Sequence, residues 1–235
     1  MKPFVIAAGV GLTFGLCLVT EGHDIITTKI TWSREISRVV YERCASCHHE
    51  GGSAFSLMTY AEARPWAVAI KEEVLSRRMP PWGAVKGFGE FRNDQALTAE
   101  QLELITDWVE GGVPEGDAKE LPAEPNVPEA SSHSAPVGGI AVSGDFALER
   151  PFVLDGLWPD RVPGSQFLQI TAELPDGSIE PLLWLYEYKA EYAHPFLLRT
   201  PLELSAGTVI RGVPPDSKVI LIPGAPGSAA EARAP

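Results

Sequence analysis

The sequence predicts a mixed, multidomain chain, with an all-α domain followed by an all-β antiparallel sandwich. Three observations carry that expectation. Apolar residues recur at helical spacing as far as Gly112. Residues 113–138 are rich in Pro, Glu, Ala and Ser and have no apolar period. Beyond them, short runs alternate with period two between Pro and Gly. The expected boundaries are therefore 1–22 for a leader, 23–112 for the helical domain, 113–138 for a linker, 139–223 for the sandwich and 224–235 for a frayed tail.

A chain of 235 residues with 45% hydrophobic and 21% charged residues can bury a core. A formal net charge of −12 argues against nucleic acid as a partner and favours solubility and basic partners. At the N-terminus, Lys2 precedes an uncharged run from Phe4 to Val19, followed by Thr20-Glu21-Gly22. The run is short for a membrane-spanning helix, which needs about 20 residues. It reads as a signal peptide for export to the periplasm, and if left uncleaved it would anchor the chain to the membrane. Cys17 follows Leu16, where a lipoprotein site would want a small residue, so lipidation is not expected.

Ser33 can cap a helix whose apolar positions are Trp32, Ile36, Val39 and Val40. That helix runs straight into Cys44-Ala45-Ser46-Cys47-His48. C-x-x-C-H is the pattern by which two thiols capture haem vinyl groups and the next imidazole takes the iron. Two cysteines three apart span neighbouring vinyls if the backbone makes a helical turn, which also orients His48. A thioredoxin-like pair would need a βαβ setting, and a zinc site a second ligand pair. The third cysteine, Cys17, sits in the leader and supplies neither. His49 is adjacent to His48 and cannot share its iron, so a solvent or propionate contact is expected of it.

Thr59-Tyr60-Ala61-Glu62 is a capping box, and Pro65 restarts a second helical piece with Trp66, Ile70 and Val74 on one stripe. The helix ends in Arg77-Arg78-Met79-Pro80-Pro81-Trp82. Pro80 pushes Met79 out of the helical region and Pro81 stiffens the segment, which makes a strap for a thioether sixth ligand. Met58 is the rival ligand, in a Gly/Ser-rich turn without the proline frame; Arg77 and Arg78 are candidates for propionate contacts. Residues 83–97 read as a loop. Thr98-Ala99-Glu100-Gln101 then caps a helix with Leu102, Ile105, Trp108 and Val109 on its buried face, and Gly111-Gly112 ends it.

This order of helix, C-x-x-C-H, helix, Met strap and helix resembles class I cytochrome c domains over residues 31–112. The stretches Phe55-Ser56-Leu57-Met58-Thr59-Tyr60, Ala63-Arg64-Pro65-Trp66 and Arg78-Met79-Pro80-Pro81-Trp82 look more narrowly like haem domains fused to bacterial copper-dependent monooxygenase-like proteins. The resemblance implies one covalent haem c bound by Cys44 and Cys47, with His48 and Met79 as axial iron ligands.

In the C-terminal part, 167–174 and 182–186 flank the turn Pro175-Asp176-Gly177-Ser178 and read as a hairpin. Further strands are expected at 196–198, 202–204, 208–210 and 219–222. Leu174-Pro175-Asp176-Gly177-Ser178, Pro181-Leu182-Leu183-Trp184, Tyr192 and Pro201-Leu202-Glu203-Leu204-Ser205-Ala206-Gly207-Thr208 resemble the last strands of copper type II, ascorbate-dependent monooxygenases. Members of that family hold copper with histidines and a methionine. This chain has no methionine after Met79 and only His194 in the expected sandwich, so the resemblance does not carry the monooxygenase activity over.

The expectation is thus a periplasmic electron carrier rather than an enzyme, with the sandwich as a docking module and few contacts between the two parts. Redox proteins, including a membrane-bound or periplasmic oxidoreductase, are the expected partners. Two alternatives stand beside it: a haem subunit of an oxidoreductase, and a haem-based sensor of small ligands. Were the sandwich to lie over the haem, His194, Tyr192 or Trp184 would be the residues to approach it.

Overall fold

A computed structural model describes residues 29–127, 137–163 and 167–225. The expected leader with Cys17, His133 in the expected linker, and the tail beyond 225 lie outside these residues. No described helix is long and apolar enough to cross a membrane.

The expected fold class does not hold. The described residues are mostly β, in two four-stranded antiparallel sheets, and the helices are short. The helices are α1 (Ser37–Arg43), α2 (Tyr60–Ala63), α3 (Ala67–Leu75) and α4 (Ala99–Glu110). The strands are β1 (Ile140–Val142), β2 (Phe146–Ala147), β3 (Phe152–Arg161), β4 (Leu168–Glu173), β5 (Ile179–Leu185), β6 (Phe196–Leu204), β7 (Val209–Arg211) and β8 (Lys218–Pro223). An all-α domain beside a separate sandwich is excluded by the path of residues 82–93, which enter the sheets.

The helical half forms its own small core. A wide turn at Trp32–Ile36 precedes α1, and Thr31 rather than Ser33 caps it, accepting from the Arg34 amide at 3.3 Å. The cap moves because the Trp32 and Ser33 amides are already used, donating to the Pro114 and Glu115 carbonyls at 3.0 and 2.9 Å. Capping boxes start α2 at Thr59 and Glu62, and α4 at Thr98 and Gln101. Trp32 and Trp108 are buried with ring centroids 6.0 Å apart, and Ile36, Val39, Val40 and Ile105 close around them. Trp108 Nε1 donates to the Pro114 carbonyl at 3.0 Å. The first residues of the expected linker therefore belong to this core.

The two sheets run β1-β8-β3-β6 and β2-β7-β4-β5 and enclose one apolar cluster that includes Leu154, Leu157, Leu168, Ile170, Leu182 and Leu221. The expected hairpin is present as β4 and β5. The stretches expected as two strands, 196–198 and 202–204, are one strand, β6, with Pro201 inside it. Proline is tolerated there because β6 is an edge, where a missing amide donor leaves no ladder partner bare. Beside it, β3 bulges between Leu154 and Gly156; a Cβ on Gly156 would lie 2.5 Å from the Phe196 carbonyl oxygen, so only glycine permits that approach.

One edge of each sheet, β5 and β6, is bridged by the segment expected to be a loop. Ala84 bridges to Leu185 on the β5 edge, with the Val85 amide donating to the Trp184 carbonyl and the Tyr186 amide to the Gly83 carbonyl, both at 2.8 Å. Phe91 bridges to Leu198 on the β6 edge, with the Arg92 amide donating to Leu197 at 2.9 Å and the Arg199 amide to Glu90 at 2.8 Å. Trp82 and Phe91 are buried in the sandwich cluster. Where it bridges β5 and β6, this segment occupies backbone groups that could otherwise pair with another chain. The expectation of few contacts between the two parts fails with it.

Candidate functional site

Helix α1 delivers the chain into the cysteine motif without a break. The Cys44 and Ala45 amides both donate to the Val40 carbonyl at 2.9 Å, and the Cys47 and His48 amides donate to the Cys44 carbonyl at 3.1 and 2.9 Å. The helical turn that a C-x-x-C-H requires is therefore formed. Cys44 and Cys47 are half-buried free thiols. Burial, with the neighbouring Cys47 as a second cause, pushes the Cys44 thiol up to about 12, so it is protonated at neutral pH.

The two adjacent histidines are committed in opposite directions. His48 Nδ1 lies 2.9 Å from the Phe55 carbonyl oxygen, whereas His49 Nδ1 reaches back to the Ala45 carbonyl at 2.8 Å. A carbonyl bond at Nδ1 makes that nitrogen the protonated one and leaves Nε2 as the His48 lone pair available to a metal. Aromatic rings lie to one side of His48. The Phe55 ring meets it edge-on at 5.1 Å and in turn lies 4.7 Å from the Trp66 ring, yet Phe55 and Trp66 are about half exposed, at 51% and 48%. Contiguous exposed aromatic rings beside an available imidazole form a surface that a flat apolar ligand would cover.

Met79 follows a well-formed helix end. Arg77 takes a left-handed conformation, φ +59°, so that its amide reaches the Val74 carbonyl at 3.1 Å and the Arg78 amide reaches Glu73 at 2.9 Å. The Met79 amide also donates to the Glu73 carbonyl, at 3.2 Å. Arg78 is bound through Nε and Nη2 to the Glu73 carboxylate at 2.8 and 2.7 Å, and the Glu73 carboxyl is held below its ordinary range mainly by this guanidinium. The guanidinium expected near a propionate thus has a carboxylate partner already. Met79 and Cys44 are both half-buried against the same helical core.

Met58, the rival thioether, is almost fully buried elsewhere. It lines a cleft of about 280 Å³ together with His49, Glu50, Glu62 and Glu124, and none of Cys44, Cys47, His48 and Met79 lines that cleft. Among the described residues no three His, Cys, Asp or Glu side chains gather as a metal-ion cluster. Haem iron needs only two protein ligands, since the porphyrin supplies the other four, and the donor types here fit it: two free thiols on one turn, an imidazole with Nδ1 engaged and an exposed aromatic ring beside it, and a thioether packed on the same core as Cys44.

Of the sandwich residues, Tyr192 carries Lys189 Nζ 5.9 Å above its ring, and Trp184 packs edge-on against Phe88. His194 is the residue whose place the motifs do not foretell. Its imidazole stacks on the Trp82 indole, with centroids 4.8 Å apart and planes 4° off parallel, three residues beyond Met79. The signal that points to it is the apolar Trp82 at the end of the Met strap, which needs a pocket. No family model, curated protein or solved structure matches this chain.

Proposed function

We propose that this chain is an exported single-electron carrier holding one covalent haem c, with thioether links at Cys44 and Cys47 and axial ligands His48 and Met79. The observation that carries the reading is the His48 Nδ1 contact to the Phe55 carbonyl at 2.9 Å, which leaves Nε2 for iron directly beside the exposed Phe55 and Trp66 rings. The group supplies reversible one-electron chemistry when bound. The chain's own residues fix the imidazole tautomer, keep water from one face with aromatic rings, and hold a soft thioether on a proline strap. With both axial positions filled, such a site suits electron transfer better than chemistry on a substrate.

The partners that fit are redox proteins, including a periplasmic or membrane-bound oxidoreductase. The resemblance to haem domains of copper-dependent monooxygenase-like proteins supports a place beside such an enzyme. The sandwich offers no cluster of copper ligands among its described residues.

The test is to express the chain in a host that matures c-type cytochromes and extract it with acidified organic solvent. Haem is expected to stay with the wild-type chain and to leave a variant carrying Cys44→Ser and Cys47→Ser. A wild-type chain that takes up no haem, or gives it all to the solvent, overturns the reading. Carbon monoxide added to the reduced protein separates carrier from sensor, since a firmly bound Met79 excludes it and a sensor must admit it.

A further inference from the structure

We infer that the sandwich is a clamp for the Met79 strap, and that the His194–Trp82 stack is where it grips. This deepens the haem reading above and rests on it. The strap is pinned at both ends by different parts of the fold. On the helical side the Met79 amide is tied to the Glu73 carbonyl at 3.2 Å. On the other side Trp82, only 4% exposed, is inserted in the sandwich core. Its indole is covered by His194 at 4.8 Å and by Phe196 at 4.8 Å, and Phe91 meets it edge-on at 5.9 Å.

Between the two pins stand only Pro80 and Pro81, whose rings fix φ, and the Trp82 amide closes on the Pro80 carbonyl at 2.7 Å. The Gly83 carbonyl, receiving the Tyr186 amide at 2.8 Å, locks the next residue to the β5 edge. A segment this short and stiff transmits the position of the indole to the thioether. His194 and Trp82 are positioning residues: they act on Met79 through the strap, and the sandwich is then a part of the haem site's construction as well as a neighbour of it. A docking module would need no aromatic side chain of the strap in its core.

The test uses full-length haem-loaded protein and measures how tightly the oxidised form takes up exogenous imidazole. Imidazole must replace the thioether, so its apparent affinity rises in proportion to the fraction of time Met79 is off the iron. Met79→Ala sets the upper limit. Trp82→Phe and His194→Ala are each expected to raise the affinity by about tenfold or more and to weaken the far-red sulfur-to-iron absorption band. His194→Phe, which keeps a flat ring on the indole, is expected to stay within about twofold of wild type. Ile210→Ala, a buried change on β7 with β4 between it and the β5 edge, serves as a control that loosens the sandwich without touching the stack.

If Trp82→Phe and His194→Ala leave the affinity unchanged while Met79→Ala raises it, the clamp is wrong and the ligand assignment stands. The clamp is equally wrong if Ile210→Ala raises the affinity as much as His194→Ala, because general loosening would then suffice. If Met79→Ala itself changes neither affinity nor band, Met79 is not the ligand and both readings fall together.

Discussion

Arg92 grips Asp155 of the central strand β3 with two hydrogen bonds, 2.9 Å from Nη1 and 2.7 Å from Nη2, and its Nη1 also reaches the Leu198 carbonyl at 2.7 Å. One guanidinium thus fastens the segment between α3 and α4 to two strands of one sheet. Arg92→Ala is expected to lower stability by about 1–3 kcal/mol, as for lost hydrogen bonds to charged groups. Arg92→Lys should recover little of it, because an ammonium cannot make the paired contact. Urea unfolding measures both; an Ala variant as stable as wild type refutes the role.

The edge closure predicts how fragments behave. Residues 137–225 alone leave the β5 and β6 edges bare and remove Trp82 and Phe91 from the core. That fragment is expected to associate or precipitate, whereas residues 29–225, which keep both the bridging segment and the helical core, should run as a monomer on size-exclusion chromatography. A monomeric, cooperatively unfolding 137–225 fragment would show that the sheets need no cover.

In the helical half, Trp108 is wholly buried, packs at a tilt against Trp32 and donates to the Pro114 carbonyl. Trp108→Ala should cost about 3–5 kcal/mol, and Trp108→Phe less, since it keeps most of the packing and loses one hydrogen bond. Thermal unfolding followed by far-ultraviolet dichroism reads the two variants. Equal, small losses would mean that this core adapts to the change.

Tyr188 gives the fold an alkaline limit. It is 3% exposed, its hydroxyl donates to the Pro159 carbonyl at 3.4 Å, and burial, followed by the charge of Asp160, pushes its ionisation from 10.0 up to about 12. The folded state thus favours the neutral phenol. Its contribution is complete below pH 10 and is lost as pH rises from 10 toward 12, amounting to about 2–3 kcal/mol. Wild-type stability should therefore fall more steeply over that range than that of Tyr188→Phe, in urea titrations at stepped pH. Parallel curves would contradict it.

Local signals in the sequence were reliable where they depended on neighbours along the chain. The two capping boxes, the turn at Cys44–His48 and the Asp176-Gly177 hairpin are each decided within a few residues, and each is present. Strands β1 to β3 were not foreseen, because Asp155, Gly156 and Pro159 break the alternation of the longest strand at its bulges. The fold class failed for a related reason. A loop of mixed composition such as 83–97 carries no period that announces edge pairing, and the sheets it closes lie about a hundred positions downstream. At the candidate site the cysteine motif was legible from spacing alone. The His194–Trp82 stack was not, since it joins two residues that no local pattern connects.

That separation has a consequence for the order of events during synthesis. Residues 44–48 and the helices around them are complete early, and their hydrogen bonds are mostly local. Trp82 cannot find its pocket until residues near 194 have emerged; the Asn93 bond to the Pro195 carbonyl alone spans 102 positions. Contacts so distant form late, because the intervening chain must first be closed into a loop. Under the proposed haem reading, a maturation enzyme working on Cys44 and Cys47 would meet a chain whose Met79 segment is held on the helical side but not yet pinned through Trp82 to the sheets.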